Sequence, residues 1–185
     1  NMAVQILNEP LSAAHIEFYK DGQWATNYEE QGTVLGMNGG LLGIDMADDQ
    51  MKRTAAIAKE RGIEISYTIS SFENNHPNSM LLNLTGKNGQ SIQVLAASLG
   101  GGTFELQKVD DFPVQMKGDY YELFIWAKED ISTELQQLTP LSAKLLWKEK
   151  HGSFLYILES SATFDEGLVQ HISRFPEVDK VANVL

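Results

Sequence analysis

The stretch that most limits how this chain can fold is residues 76–102, HPNSMLLNLTGKNGQSIQVLAASLGGG. Apolar residues alternate at Met80, Leu82 and Leu84, and again at Ile92, Val94 and Ala96; a period of two marks a strand with one buried face. Between the runs, Gly86-Lys87-Asn88-Gly89 predicts a tight hairpin turn in which the Asn-Gly pair takes up positive φ. A hairpin returns the chain on itself. His76-Pro77-Asn78-Ser79 and Ser98-Leu99-Gly100-Gly101-Gly102 should therefore finish at one edge of a sheet. An ordinary hairpin has no use for three consecutive glycines, which implies that something approaches that backbone.

Around this hairpin the pattern is mixed. Residues 13–20 read as a first strand, with Ile16 and Phe18 on one face. Residues 32–44 are apolar and glycine-dense, and Gly32, Gly36 and Gly40 recur every fourth residue, so on a helix they share one bare face. Each glycine costs a helix roughly 0.8–1.0 kcal/mol relative to alanine, which points to close packing as the compensating gain; a long loop is the alternative. Residues 48–61 read as a helix capped by Asp48, with Met51, Ala55 and Ala58 on one side and Gly62 ending it in the left-handed position. Ile63, Ile65, Tyr67 and Ile69 alternate as a strand, and residues 103–109 continue as another. The order is βααβ followed by a strand meander.

Residues 110–118, holding Pro113 and Gly118, are the best boundary between an N-terminal domain over 1–116 and a second over 117–185. Beyond it come a strand at 120–127, a short helix at 132–138 stopped before Pro140, and strands at 141–150 and 153–159 flanking a turn at His151-Gly152. A last helix follows, with Thr163 and Glu166 as a capping box and Phe164, Leu168, Ile172 and Phe175 as its apolar stripe. Residues 178–185 close as a strand. The order βαββαβ is the ferredoxin-like split arrangement, so the fold class is α+β, with a mixed sheet in the first domain.

Composition excludes several function classes. Of 185 residues, 43% are hydrophobic and 21% charged, and the net charge is −11. The chain can bury a core, while neither nucleic acid nor an anionic membrane suits so acidic a surface. No apolar run is long enough to span a bilayer and no leader pattern opens the chain; a chain without cysteine suits a reducing cytoplasm, the expected location. Zero cysteines exclude disulfides, thiol nucleophiles and any self-contained thiolate-bound metal or cluster. Asn1 ahead of Met2 leaves the natural start open.

The candidate ligand-binding residues sit where the central hairpin closes. Three consecutive glycines at Gly100, Gly101 and Gly102 can expose a row of N–H groups to a carboxylate or phosphate; equally, they can form a bulge or corner. Continuation as strand from Thr103 excludes a dinucleotide fingerprint. His76, held extended by Pro77, joins Asn78 and Ser79 as a compact set of donors and acceptors for a small polar molecule, or as a turn that only caps the strand. Ser98 completes the set. His15, His151 and His171 lack a second ligand at metal spacing, so neither a metal site nor a catalytic residue is expected here.

The chain resembles the β chain of the iron–sulfur-dependent bacterial L-serine dehydratase. Glu17-Phe18-Tyr19, Trp24-Ala25, Gln31-Gly32-Thr33 and Gly39-Gly40-Leu41-Leu42-Gly43 carry the likeness, with His76-Pro77-Asn78-Ser79 and Ser98-Leu99-Gly100-Gly101-Gly102. The region after them is similar to the small ACT regulatory module, ending in Phe175-Pro176-Glu177-Val178. The resemblance implies a separate α chain holding a 4Fe-4S cluster whose open iron acts on the serine hydroxyl, with pyruvate and ammonia as final products. It assigns this chain ligand binding, for L-serine or an anion, together with regulation and homodimer formation through either domain. Two departures stand out. The family's serine-rich segment ending in His-Thr has no counterpart before the first strand, and its Gly-His-Gly-Thr-Asp motif appears as Glu30-Gln31-Gly32-Thr33-Val34. In the ACT-like part, Glu129-Asp130-Ile131-Ser132 replaces the glycine usual after the first strand. A stand-alone sensor or scaffold with the same fold is the second reading.

Overall fold

The computed structural model describes residues 1–30 and 32–184; Gln31 of the family-like motif and Leu185 of the last strand lie outside them. The chain opens with helix α1 (Met2–Leu7), followed by β1 (Leu11–Tyr19), α2 (Trp24–Asn27), α3 (Thr33–Leu42), α4 (Thr54–Glu60) and β2 (Glu64–Ser70). The meander is β3 (Ser79–Gly86), β4 (Ser91–Gly100), β5 (Thr103–Val109) and β6 (Phe112–Met116). These form a six-stranded sheet in the order β2-β1-β3-β4-β5-β6. β1 runs parallel to β2, across the helical connection, and antiparallel to β3. The sheet is mixed, as the sequence predicts.

The second half runs β7 (Tyr121–Ala127), α5 (Ser132–Leu138), β8 (Ala143–Lys150), β9 (Ser153–Ser160), α6 (Glu166–Ile172) and β10 (Val178–Val184). Its antiparallel sheet has the order β10-β7-β9-β8, in keeping with the expected βαββαβ order. No helix among the described residues is long and apolar enough to cross a membrane.

One apolar core joins the sheets. Ile16, Phe18, Leu82 and Val94 from the first meet Phe124, Leu155 and Ala182 from the second, with Ile6 and Leu7 of α1 packed in the same cluster. A second core, with Leu123, Ile125, Tyr156 and Leu158 on the opposite face of the small sheet, is closed by Leu135 of α5 and Ile172 of α6. Polar contacts also cross the junction: Asn8 Nδ2 donates to Val181 O at 2.9 Å, and Lys150 Nζ donates to Asp111 Oδ1 at 3.3 Å.

Several local expectations are corrected. Residues 48–61 are not one helix: Asp48 caps a 3-10 segment, Asp49–Arg53, and α4 begins only at Thr54. Three residues per turn shifts the phase, so Met51, Thr54, Ile57 and Ala58 are buried while Ala55 is exposed. The 86–89 turn has positive φ only at Gly89; the connection is longer than a two-residue turn, and the Asn88 N–H donates to Glu9 Oε2 at 3.0 Å. Helix α6 is capped by Asp165, whose carboxylate accepts from Leu168 N–H at 3.2 Å, rather than by Thr163. Within the 110–118 stretch, Phe112–Met116 form β6, and the expected division after residue 116 falls at the end of that strand. Pro113 fits there because β6 is an edge strand, where a missing donor leaves no ladder bond unmade.

The glycines of α3 also behave differently from expectation. Close packing occurs at Gly39, where a Cβ would collide with Met51 Sδ. Gly32 is not in the helix; it precedes Thr33 in a left-handed conformation. A Cβ on Gly36 would meet nothing within 4 Å, and one on Gly40 only Asn1 N at 3.6 Å.

Candidate functional site

The register of β3 and β4 brings the hairpin ends together, Ser79 pairing with Ala97, and the Ser98 N–H donates to Asn78 O at 2.9 Å. Asn78 is the hub of this end of the sheet. Its own N–H donates to His76 Nδ1 at 3.1 Å. Its Oδ1 accepts from Gln23 N–H at 3.0 Å, and its Nδ2 donates to Gln23 Oε1 at 3.4 Å. Ser79, fully buried, donates its hydroxyl to His76 O at 2.6 Å. The loop before α2 is drawn so close that a Cβ on Gly22 would collide with Pro77 O.

This chemistry is mostly satisfied from within. Asn78 and Ser79 spend their side-chain donors and acceptors on the turn and on Gln23. His76, accepting at Nδ1, keeps Nε2 as its remaining donor. His76 and Ser98 are half-buried, and the three glycines are exposed. Gly101 and Gly102 occupy the two central positions of the β4–β5 turn, with Gly100 paired to Thr103 and φ of 87°, 62° and 80° along the glycine run. Positive φ at both central positions is the type I′ requirement, so the turn explains two glycines by backbone angle. A Cβ on any of the three would meet nothing within 4 Å, so the outer side of the turn is open.

Behind this turn lies a cleft of about 320 Å³. Its floor is the inner face of the six-stranded sheet at Met80, Leu82 and Ala96, and its helical wall is the bare face of α3 at Gly36 and Gly40. Ser98 and Gly102 belong to its lining, whereas His76, Asn78 and Ser79 do not. The cleft is the feature that sequence reasoning missed. Its signal, the glycine spacing, was visible but carried no information on whether the bare face meets packing or space.

The remaining titratable groups have structural partners. His15 lies between hydroxyls, Nδ1 2.9 Å from Ser66 Oγ and Nε2 3.1 Å from Thr68 Oγ1. His151 takes a positive φ in the β8–β9 turn, and His171 packs edge-on against Phe175. Among the described residues no three His, Asp or Glu side chains gather to hold a metal ion. In the loop after β7, the Ile131 N–H donates to Tyr156 Oη at 3.0 Å, Tyr156 Oη donates to Asp130 Oδ1 at 2.7 Å, and the Ser132 N–H donates to that same oxygen at 2.8 Å. Burial, and then the Asp130 carboxylate, push the Tyr156 hydroxyl up to about 12. The Ile131 and Ser132 amides and the Tyr156 hydroxyl are thus engaged within the fold.

No protein-family model matches the chain. Two curated proteins are similar along most of its length. The L-serine dehydratase β chain of Peptoniphilus asaccharolyticus is 25% identical over 181 residues, covering 97% of this chain and 76% of that protein. A Bacillus subtilis (strain 168) protein named "Probable L-serine dehydratase, beta chain" is 22% identical over 178 residues, covering 91% of this chain and 79% of its own length. Both similarities cover most of this chain, and together they make it similar to the L-serine dehydratase β chains.

Proposed function

We propose that this chain is the β subunit, or a β-subunit-like paralogue, of an iron–sulfur L-serine dehydratase, the enzyme that converts L-serine to pyruvate and ammonia. The observation that carries this reading is the similarity to the Peptoniphilus β chain, covering 97% of this sequence and 76% of that protein. With no cysteine, this chain offers no thiolate for a 4Fe-4S cluster, which belongs on a partner α chain. The β chain is then inactive alone and contributes ligand binding and regulation. Its ligand site is the open end of the central hairpin: His76, Asn78, Ser79, Ser98 and the turn at Gly100, Gly101 and Gly102, with L-serine or a small anion as ligand. Convergence of these residues at one sheet end supports the assignment; the free edge of His76 and the exposed turn amides are the groups left to contact a ligand. Residues 117–185 act as an ACT-like regulatory domain, and the assembly is cytoplasmic, with pairing of β chains through either half.

A second reading, a non-catalytic amino-acid or anion sensor with the same fold, is favoured by one observation. The histidine and aspartate of the family's glycine motif are absent at Glu30-Gln31-Gly32-Thr33-Val34.

The test is anaerobic co-purification with the α chain from the same source, followed by a serine-to-pyruvate assay. A cluster-bearing complex that makes pyruvate only with both chains present is the expected result. A complex that never forms, or forms without turnover, overturns the subunit reading in favour of the sensor.

A further inference from the structure

The cleft behind the β4–β5 turn has features that the subunit reading does not use. Helix α3 carries Gly36, Gly39 and Gly40 within ten residues, a composition that weakens a helix. Gly39 is accounted for by Met51, yet Gly36 and Gly40 have helical backbone angles and no close neighbour that forbids a side chain. What their missing side chains leave clear is the cleft of about 320 Å³, a volume in the range of small-molecule sites. A side chain at either position would project into that space.

The lining states the chemistry of the occupant. Met80, Leu82, Ala96 and Leu106 form an apolar floor, and Met37 and Trp24 add to the walls. No lining residue has a charged side chain. Hydrogen bonding is offered by the hydroxyls of Ser98 and Thr103 at the turn end. A carboxylate or phosphate would lose its hydration there without gaining a cationic side chain, whereas an apolar molecule gains by leaving water.

We propose that this cleft binds a compact, uncharged and mainly apolar molecule with a single hydrogen-bonding group, seated against the bare face of α3 with its polar end at Ser98 and Thr103. The cleft shares Ser98 and Gly102 with the hairpin-end site but not His76, Asn78 or Ser79, and the proposal does not rest on the subunit assignment.

The six methionines provide the test. Met2, Met37 and Met80 line the cleft, while Met46, Met51 and Met116 do not. Indole, bicyclic with one N–H, is titrated into the full chain labelled with carbon-13 at the methionine methyl groups. Saturable shifts at Met37 and Met80, with Met46 and Met116 unmoved, are the expected result. Gly36→Leu, which fills the space, should weaken indole about tenfold or more while the Met116 signal stays native. Gly36→Ala should cause a smaller loss in the same direction, and it decides the matter if the leucine variant fails to fold. His76→Ala should leave indole affinity unchanged. Absence of saturable shifts overturns the proposal, as does equal affinity in the filled variants. Failure of the pyruvate assay would not alter any of these readouts.

Discussion

The two sheets bury themselves in different ways. In the six-stranded sheet, β1 alternates: Ile16 and Phe18 are fully buried, while His15 and Glu17 point away and bond to neighbouring strands. On that outer face Glu17 accepts from Ser70 Oγ at 2.7 Å and Asn83 Nδ2 at 3.0 Å, and Gln93 Nε2 donates to Asn83 Oδ1 at 2.8 Å. In the four-stranded sheet, β7 is covered on both sides: Phe124 faces the shared core, and Leu123 and Ile125 face the core beneath the helices. A sheet with one bare face can exchange its outer side chains for surface chemistry. A strand covered on both faces cannot, and its losses should propagate into both halves.

The largest expected effect follows from Phe124. Truncating a large buried aromatic costs about 3–5 kcal/mol, and this side chain, 0% exposed, contacts the core that joins the sheets. Phe124→Ala should lower the urea midpoint accordingly, and fluorescence and circular dichroism should still report one coincident transition. Separate transitions for the two halves would show that the shared core does not couple them.

A smaller effect, dependent on pH, belongs to Glu122 on the same strand. It is 2% exposed, its Oε2 meets no donor among the described residues, and its cross-strand neighbour is Glu159. Burial first, then the carboxylates of Glu159 and Asp119, raise its pKa from 4.5 to about 7. The folded state therefore holds this proton more tightly than the unfolded state. Its contribution is full below pH 4.5 and is lost as pH rises to about 7, an effect of about 1–3 kcal/mol. Glu122→Gln should be more stable than the parent at pH 7.5 and should converge with it near pH 5. Urea midpoints for both proteins at the two pH values decide this; an unchanged difference would remove Glu122 as the cause.

The sequence made the central hairpin legible because its period of two and its glycine turns are local signals. The βαββαβ order was legible because Pro140 and Pro176 punctuate it. Helix α1 was not, since six residues without a side-chain cap become a helix only when two sheets exist to receive Ile6 and Leu7. Glu122 is the second residue of an apolar strand and reads as solvent-facing; only the fold buries it. At the candidate site, strand register predicts that Asn78 meets Ser98, yet no local pattern joins Asn78 to Gln23, 55 residues earlier. The same limit hid the cleft: the spacing of Gly36 and Gly40 defines a bare face, and tertiary structure alone decides what lies opposite.

The smallest predicted effect tests the outer face of the first sheet. Glu17→Ala removes the acceptor of Ser70 and Asn83, but that face is uncovered by any helix, so both donors can turn to water. An exchange of protein for solvent hydrogen bonds costs about 0.5–1.5 kcal/mol, well below the Phe124 loss. Guanidinium midpoints, measured at two protein concentrations, check the size and its meaning. A loss near 1 kcal/mol, independent of concentration, leaves the comparison between the sheets standing. A loss as large as that of a core truncation, growing with protein concentration, would mean that a second copy covers this face. The one-sided sheet would then be two-sided in solution, and the contrast with β7 would disappear.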